Sequence, residues 1–177
     1  MNKILATTIL LLVALVPAFA ATTSAANVKG TYSFQVGGVT NQYGYYTSCS
    51  GSGSCTWVPV NNGTCPTGQS CQNQTFSKAA VGSILFDGIG TATFLSFTQY
   101  NSGGSGNPVK GTTCSYAVSG YVANLTNCAT KGVPLDMGAV TLTLGGFNAA
   151  KIATTMLLFS ADDNSNTNVS TGIATLQ

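Results

Sequence analysis

Six cysteines and a single tryptophan are the side chains of this 177-residue sequence that could do the most distinctive chemistry. Four of the cysteines and Trp57 lie between Ser48 and Cys71, in a stretch otherwise made of Gly, Ser, Thr, Asn, Pro, Val and Gln. The sequence has no histidine, and these cysteines are separated by five, nine and five residues, unlike the short Cys-x-x-Cys spacing of structural zinc sites. The even number of cysteines therefore predicts three disulfides and an oxidising compartment.

The pairing of the cysteines is predicted in two steps. Cys114 and Cys128 flank a predicted hairpin, so we expect them to form one disulfide. The other four cysteines allow three pairings, of which a nested and a sequential pattern suit the sequence. We favour the nested pattern because it places "TWVPV" and "NNG" at the centre of a doubly closed hairpin. The nested pattern is Cys49–Cys71 with Cys55–Cys65, and the sequential alternative is Cys49–Cys55 with Cys65–Cys71.

The stretch 48–75 is predicted to be a loop insert that its disulfides hold in shape, because its few apolar residues cannot offset the entropy of its own chain. Two roles stay open for Trp57. A lid over one end of the domain, with Trp57 turned inward, is favoured because tryptophan is usually well buried. The alternative is an uncharged aromatic surface for a ligand, and its predicted binding residues are Trp57, Tyr43, Tyr45 and Tyr46.

The groups that enzymes use for acid and base chemistry are scarce in this chain. It has no His, Glu or Arg, which excludes a His-based catalytic triad. We place Asp87 in a turn and both Asp162 and Asp163 in a loop, which leaves Asp136 without a partner for two-carboxylate glycoside hydrolysis. The loop 161–168 also lacks the ligand spacing of a calcium-binding EF-hand. We therefore predict a protein that is not an enzyme and that holds no cofactor and no metal.

The N-terminus predicts export. Lys3 precedes an uncharged apolar run over 4–16 and then Ala-Phe-Ala at 18–20, the pattern of a secretory signal peptide with its cleavage site. The apolar run is 13 residues long, shorter than the roughly 20 residues that a membrane-spanning helix needs. We expect residues 1–20 to be removed and 21–177 to form a single domain, secreted to the periplasm or the outside, with no integral membrane association.

Charge is low throughout the sequence. The formal net charge is +2, and charged residues make up 6% of the chain. Binding to nucleic acid needs clustered Lys and Arg, so we do not expect nucleic acid as a partner. A neutral surface rich in Ser, Thr, Asn and Gly suits a neutral small molecule or a glycan better than an ion.

Short runs of alternating apolar and polar residues predict β-strands along the chain, and no segment predicts a helix. In "GTYSFQVGG" the apolar residues Tyr32, Phe34 and Val36 share one face, and Asp87-Gly88 predicts a two-residue hairpin turn. Because open sheet edges invite aggregation, we predict a small closed antiparallel barrel of about eight strands in meander order, with a β-sandwich as the alternative. The other predicted strands are 43–47, 80–86, 91–97, 112–118, 121–127, 140–146, 151–160 and 170–176.

Four segments, "VKGTYSFQVGG", "VGSILFDGIGTATF", "GTTCSYAVSG" and "STGIATLQ", resemble exported bacterial proteins with G-T-Y-x-F and F-D-G-x-G motifs. The resemblance implies a calycin-type barrel, related in architecture to lipocalins and to the allene-oxide-cyclase and dirigent barrels. It covers most of the chain after residue 20, apart from the insert. Lipocalins usually carry Trp where Tyr32 stands and an Arg over it, whereas this chain has no Arg. The resemblance therefore implies a fold and carries over no catalytic residue.

Three functions follow from these observations. The favoured one is a secreted, non-catalytic protein that binds a neutral apolar or carbohydrate ligand. The second is a structural or adhesive protein of the cell surface or extracellular matrix, which would need exposed sheet edges. The third is a barrel isomerase or cyclase, which would need a buried Asp or Lys facing a cavity.

Overall fold

The computed structural model describes residues 23–47, 55–60, 63–101, 106–128, 133–137, 139–162 and 168–177. Within these ranges the chain is all-β, with two short 3₁₀ turns and no helix long and apolar enough to span a membrane. The turns are Ala25–Asn27 and Pro134–Asp136. The strands are β1 (Lys29–Tyr46), β2 (Trp57–Pro59), β3 (Gln72–Asp87), β4 (Thr91–Asn101), β5 (Asn107–Lys110), β6 (Thr113–Ser119), β7 (Val122–Thr126), β8 (Val140–Phe147), β9 (Ala153–Asp162) and β10 (Asn168–Leu176).

Eight of these strands form a closed antiparallel ring in meander order. The order is β1, β3, β4, β6, β7, β8, β9 and β10, and β10 returns to pair with β1 from Tyr32–Leu176 to Thr40–Asn168. The ring departs from an even barrel shape. The prediction of an all-β closed meander is confirmed, and a single closed sheet forms in place of the alternative sandwich.

Buried and exposed side chains alternate along the strands, and the buried ones fill the interior of the ring. On β1 the side chains of Tyr32, Phe34 and Val36 are buried, while Ser33 and Gln35 between them are exposed. The interior rings pack edge to face, as Tyr32 does on Phe86 with centroids 5.5 Å apart. A cavity of about 10 Å³ remains among the core side chains, which is room for no more than one water molecule. As far as the described residues show, the core side chains around this cavity are packed and leave no space for a ligand there.

Different segments close the two ends of the ring. At one end, the Tyr116 hydroxyl donates to the carbonyl of Val28 (2.8 Å) and accepts from the Gly88 N–H (3.1 Å). At the other end, the buried residues Val133, Leu135 and Met137 form a plug, 133–137, that packs against β3 and β4. The Leu135 N–H donates to Gln99 Oε1 at 3.0 Å, which anchors the plug to β4.

The turn after β3 is longer than the predicted two residues. Asp87 ends β3, and 88–90 lead into β4 with positive φ at Gly88 (85°) and Gly90 (132°). Partial desolvation raises the pKa of Asp87, but hydrogen bonds from the N–H groups of 89–91 outweigh it and lower the pKa to about 2. The folded carboxylate thus stabilises the turn above its ordinary pKa of 3.8, and this contribution is lost as the pH falls toward 2.

The disulfides differ in part from the predicted pattern. Cys114 on β6 is bonded to Cys128 just beyond β7, as predicted. The nested pairing of Cys49 with Cys71 and Cys55 with Cys65 is wrong, because Cys65 is bonded to Cys71. Cys65 and Cys71 bracket a short turn, and the Gln69 N–H donates to the Pro66 carbonyl inside it. Cys55 is also in a disulfide, and Cys49 lies outside the described residues.

The Cys114–Cys128 disulfide is expected to stabilise the ring. It joins β6 to the end of β7 at a sequence separation of 14, a loop whose closure is worth about 3 kcal/mol. The double variant C114A/C128A should lower the free energy of unfolding by about that amount and Tm by roughly 6–12 °C. C65A/C71A is the control, because its disulfide lies outside the ring. Calorimetry showing equal shifts for both variants would contradict the assignment.

Alkaline pH is expected to destabilise the fold through two buried phenols. Burial, reinforced by the nearby Tyr116, raises the pKa of Tyr32 to about 12, and burial and then the charge of Asp87 raise the pKa of Tyr116. The folded state holds these protons more tightly than the unfolded state. The contribution of these two phenols to stability should therefore be constant below pH 10 and fall as the pH rises from about 10 to about 12.

Urea unfolding between pH 8 and 11.5 measures this effect. Tyr32→Phe should be less stable at pH 8, because it loses the 2.6 Å hydrogen bond from the Tyr32 hydroxyl to the Ala153 carbonyl. Above pH 10 its stability should fall less steeply than that of the wild type. Tyr121→Phe, which changes a half-exposed phenol, is the control. Parallel slopes for Tyr32→Phe and wild type would refute the role of Tyr32.

Candidate functional site

Two strands of the ring project beyond it at the plug end. Among the described residues, β1 pairs with β10 only as far as Thr40, and β3 begins to pair with β4 at Lys78. Beyond these points 41–44 of β1 stay paired with 72–75 of β3, and 44–46 of β1 pair with β2. The result is a three-stranded sheet, called here the extension: 41–46, 57–59 and 72–77. The last four residues of the predicted insert, 72–75, thus belong to a long strand.

Three aromatic side chains meet on one face of the extension. Tyr46 lies directly opposite Trp57 across the β1–β2 pair, and their ring centroids are 5.0 Å apart. The Trp57 ring also packs on Phe76 of β3, with centroids 5.7 Å apart. We call Tyr46, Trp57 and Phe76 the aromatic cluster. Tyr46 is 41% exposed and the other two are partly buried, so the cluster is a surface feature outside the core.

The Trp57 indole packs directly against Gly44, which has no side chain. A Cβ atom at residue 44 would lie 2.8 Å from Cζ2 and 3.0 Å from Cε2 of the indole, and closer still to the Val58 carbonyl. Only glycine lets the indole lie this near to β1 and reach across it to Phe76. The Trp57 Nε1 atom is buried, with no hydrogen-bond partner among the described residues, so packing alone positions the ring.

The face of the cluster continues the inner face of the ring. On β1 the inward residues are even-numbered, from Tyr32 to Thr40, and the same alternation brings Gln42, Gly44 and Tyr46 to that side. On β3 the same alternation places Gln74 and Phe76 on this face, where Gln74 lies opposite Gln42 and Phe76 lies opposite Thr40. Carboxamide groups, each both donor and acceptor, therefore share the face with the aromatic cluster.

The four predicted binding residues do not form one site. Trp57 and Tyr46 lie together, whereas Tyr43 and Tyr45 have odd numbers on β1 and point to the opposite face. The sequence analysis did not include Phe76, because it placed the start of this strand at residue 80. The alternation in "QNQTFSKAAV" is the signal that could have extended the strand backward. The lid role of Trp57 stays a prediction, and the plug packs against β3 and β4 at the same end of the ring.

No catalytic arrangement is seen around the cluster within the described part of the chain. Asp87 lies at the opposite end of the ring, where backbone N–H groups hold its carboxylate. The side chains of Asp136, Asp162 and Asp163 lie outside the described residues. In the same described part, no three Cys or Asp side chains lie close enough to hold a metal ion. The arrangement can stack on and hydrogen-bond to a ligand, and it offers no acid–base pair for a reaction.

Comparison with known proteins gives no family assignment. No protein-family model matches the chain, and neither a curated protein nor a solved structure matches it. The relationship to calycin-type barrels therefore stays a prediction from the sequence motifs.

The contact between Gly44 and Trp57 can be tested by fluorescence, because Trp57 is the only tryptophan of the chain. Gly44→Ala should displace the indole, shift its fluorescence to longer wavelength and increase its quenching by acrylamide. Gly37→Ala is the matched control on the same strand, because a Cβ there meets nothing nearer than 4.0 Å. Unchanged emission and quenching in Gly44→Ala would show that Trp57 does not depend on this contact.

Proposed function

We propose that this protein is a secreted, non-catalytic carbohydrate-binding protein whose site is the aromatic cluster with its flanking carboxamides. The observation that carries the proposal is the position of the cluster, partly exposed on a sheet that projects from a fully packed ring. An enclosed ligand has no room in the ring. A surface ligand, in contrast, finds three adjacent rings whose positions are set by strand pairing.

The chemistry of the face favours a sugar over a purely apolar ligand. The apolar faces of pyranose rings pack well on aromatic rings, and sugar hydroxyls need partners that both donate and accept. Gln42 and Gln74 supply such groups on the same face as Trp57. An apolar molecule would leave these amides without partners, which costs free energy when they are desolvated.

Secretion is part of the proposal. The disulfides Cys65–Cys71 and Cys114–Cys128 are consistent with an oxidising environment, and the N-terminal pattern over 1–20 is that of a signal peptide. Polysaccharides and cell-surface glycans are available in that compartment, and a small disulfide-bonded domain is suited to bind them there.

The alternative of an adhesive protein that assembles through its sheet edges has less support. Within the described chain, β2 and β5 each pair with a single strand. Both carry a proline, Pro59 and Pro108, and β5 also ends in Lys110. Proline lacks an N–H group and lysine repels a further strand, so β2 and β5 are poorly suited to strand addition, and 72–77 of β3 remain as an edge that pairs with β1 alone among the described residues. A barrel isomerase also lacks support, because the interior has no cavity for a substrate.

Binding to polysaccharides and oligosaccharides tests the proposal. The protein should be retained by at least one insoluble polysaccharide, and a soluble fragment of it should change Trp57 fluorescence. Trp57→Ala should weaken binding by about tenfold or more, since loss of a buried aromatic contact costs at least roughly 1–2 kcal/mol. Retention is the readout for this variant.

Tyr121→Ala is the matched control, because Tyr121 is an exposed aromatic that packs on Phe147 away from the extension. It should bind as the wild type does. Equal loss in both variants, or full binding by Trp57→Ala, would reject the aromatic cluster as the site.

A further inference from the structure

One lysine lies where the packed ring meets the aromatic cluster. Lys78 is on the inner face of β3, between the fully buried Ala80 and Phe76 of the cluster. Alternate residues of a strand are about 7 Å apart, so Lys78 is the next side chain after Phe76 on that face. Its partner across β1 is Gly38, and Ser170 of β10 occupies the space that a side chain at residue 38 would take.

Lys78 differs from the other lysines that the structure describes. Lys29, Lys110 and Lys151 are exposed, whereas Lys78 is partly buried. It forms no ion pair with any residue whose side chain is described. Partial burial of a lysine that has no acidic partner among the described side chains is costly, and such a group on a binding face is a candidate site for an anion.

We infer that the ligand is an acidic saccharide, and that the ammonium group of Lys78 binds a carboxylate or sulfate near the sugar that stacks on the aromatic cluster. This inference rests on the proposed function. The aromatic rings and carboxamides hold the uncharged part of the ligand, and Lys78 adds the one cation of the face. The inference replaces the neutral ligand expected from the sequence with a saccharide that carries an acidic substituent.

The geometry accounts for such a preference. Lys78 is partly buried, and the lower effective dielectric of a partly buried site strengthens the attraction of an ammonium group to an anion. The distance of about 7 Å between alternate strand residues places this group within one sugar unit of Phe76. A carboxylate on the stacked sugar or on its neighbour can therefore reach it.

Two matched pairs of oligosaccharides test the inference: oligogalacturonate with its methyl ester, and sulfated dextran with unmodified dextran oligomers. At low salt the wild type should bind the acidic member about fivefold to tenfold more tightly, and high salt should reduce this ratio. Trp57 fluorescence gives the dissociation constants. A preference in only one pair identifies the anionic group as carboxylate or sulfate.

Two lysine variants make the test specific. Lys78→Gln should bring the ratio close to one while leaving the affinity for the neutral member unchanged. Lys110→Gln, which removes the same charge from an exposed position, should keep the wild-type ratio. A ratio that survives in Lys78→Gln overturns the inference.

The remaining outcomes separate the inference from the proposed function. Equal binding of acidic and neutral members by the wild type overturns the role of Lys78 and leaves the carbohydrate site intact. Binding of none of the four oligosaccharides, together with no retention by insoluble polysaccharides, overturns both.

Discussion

The hydrogen-bonded pairing of β10 with β1 is the constraint on which the rest of the structure depends. It joins the last strand to the first, from Tyr32–Leu176 to Thr40–Asn168, and so turns a meander into a closed ring. Closure pairs backbone groups that would otherwise form two open edges. It also brings together inward side chains from all eight strands, and only then can Tyr32, Phe86 and Tyr116 pack as one column of rings.

The same closure determines where a ligand can bind. Large side chains fill the ring, so the interior contributes stability and leaves no binding space. β1 serves both purposes, because its first part closes the ring and 41–46 carry the extension. A rigid ring thus holds the pairing of β1 with β3, and this pairing positions Phe76 against Trp57. The aromatic cluster is preorganised although two of its members follow long loops in sequence.

Scarcity of charge has a consequence for both stability and recognition. The pKa of Asp87 is lowered from 3.8 to about 2 and that of Tyr32 is raised from 10.0 to about 12. These two groups therefore change the stability of the fold only below pH 3.8 and above pH 10.0. Against this background of few charges, Lys78 is a partly buried lysine beside the aromatic cluster, whereas Lys29, Lys110 and Lys151 are exposed.

Local patterns in the sequence determined much of the fold. The alternation of apolar and polar residues has the period of a strand, and it predicted the strands, the inward set Tyr32, Phe34 and Val36, and the meander. Asp87-Gly88 predicted the turn, although Asp87 accepts from three N–H groups and so supports a longer connection. The hairpin of β6 and β7 brought Cys114 and Cys128 together, because their pairing depends on residues close in sequence.

Only the tertiary structure decided the site. Whether Tyr43 or Tyr46 faces Trp57 depends on the register between β1 and β2, which the composition of the loop between them does not specify. Phe76 and Lys78 join the site because β3 continues beyond β4 while still paired with β1. The alternation of apolar and polar residues can be read from one segment alone. Which side chains meet at the site depends on how two segments pair, and closure of the whole ring sets the relative positions of those segments.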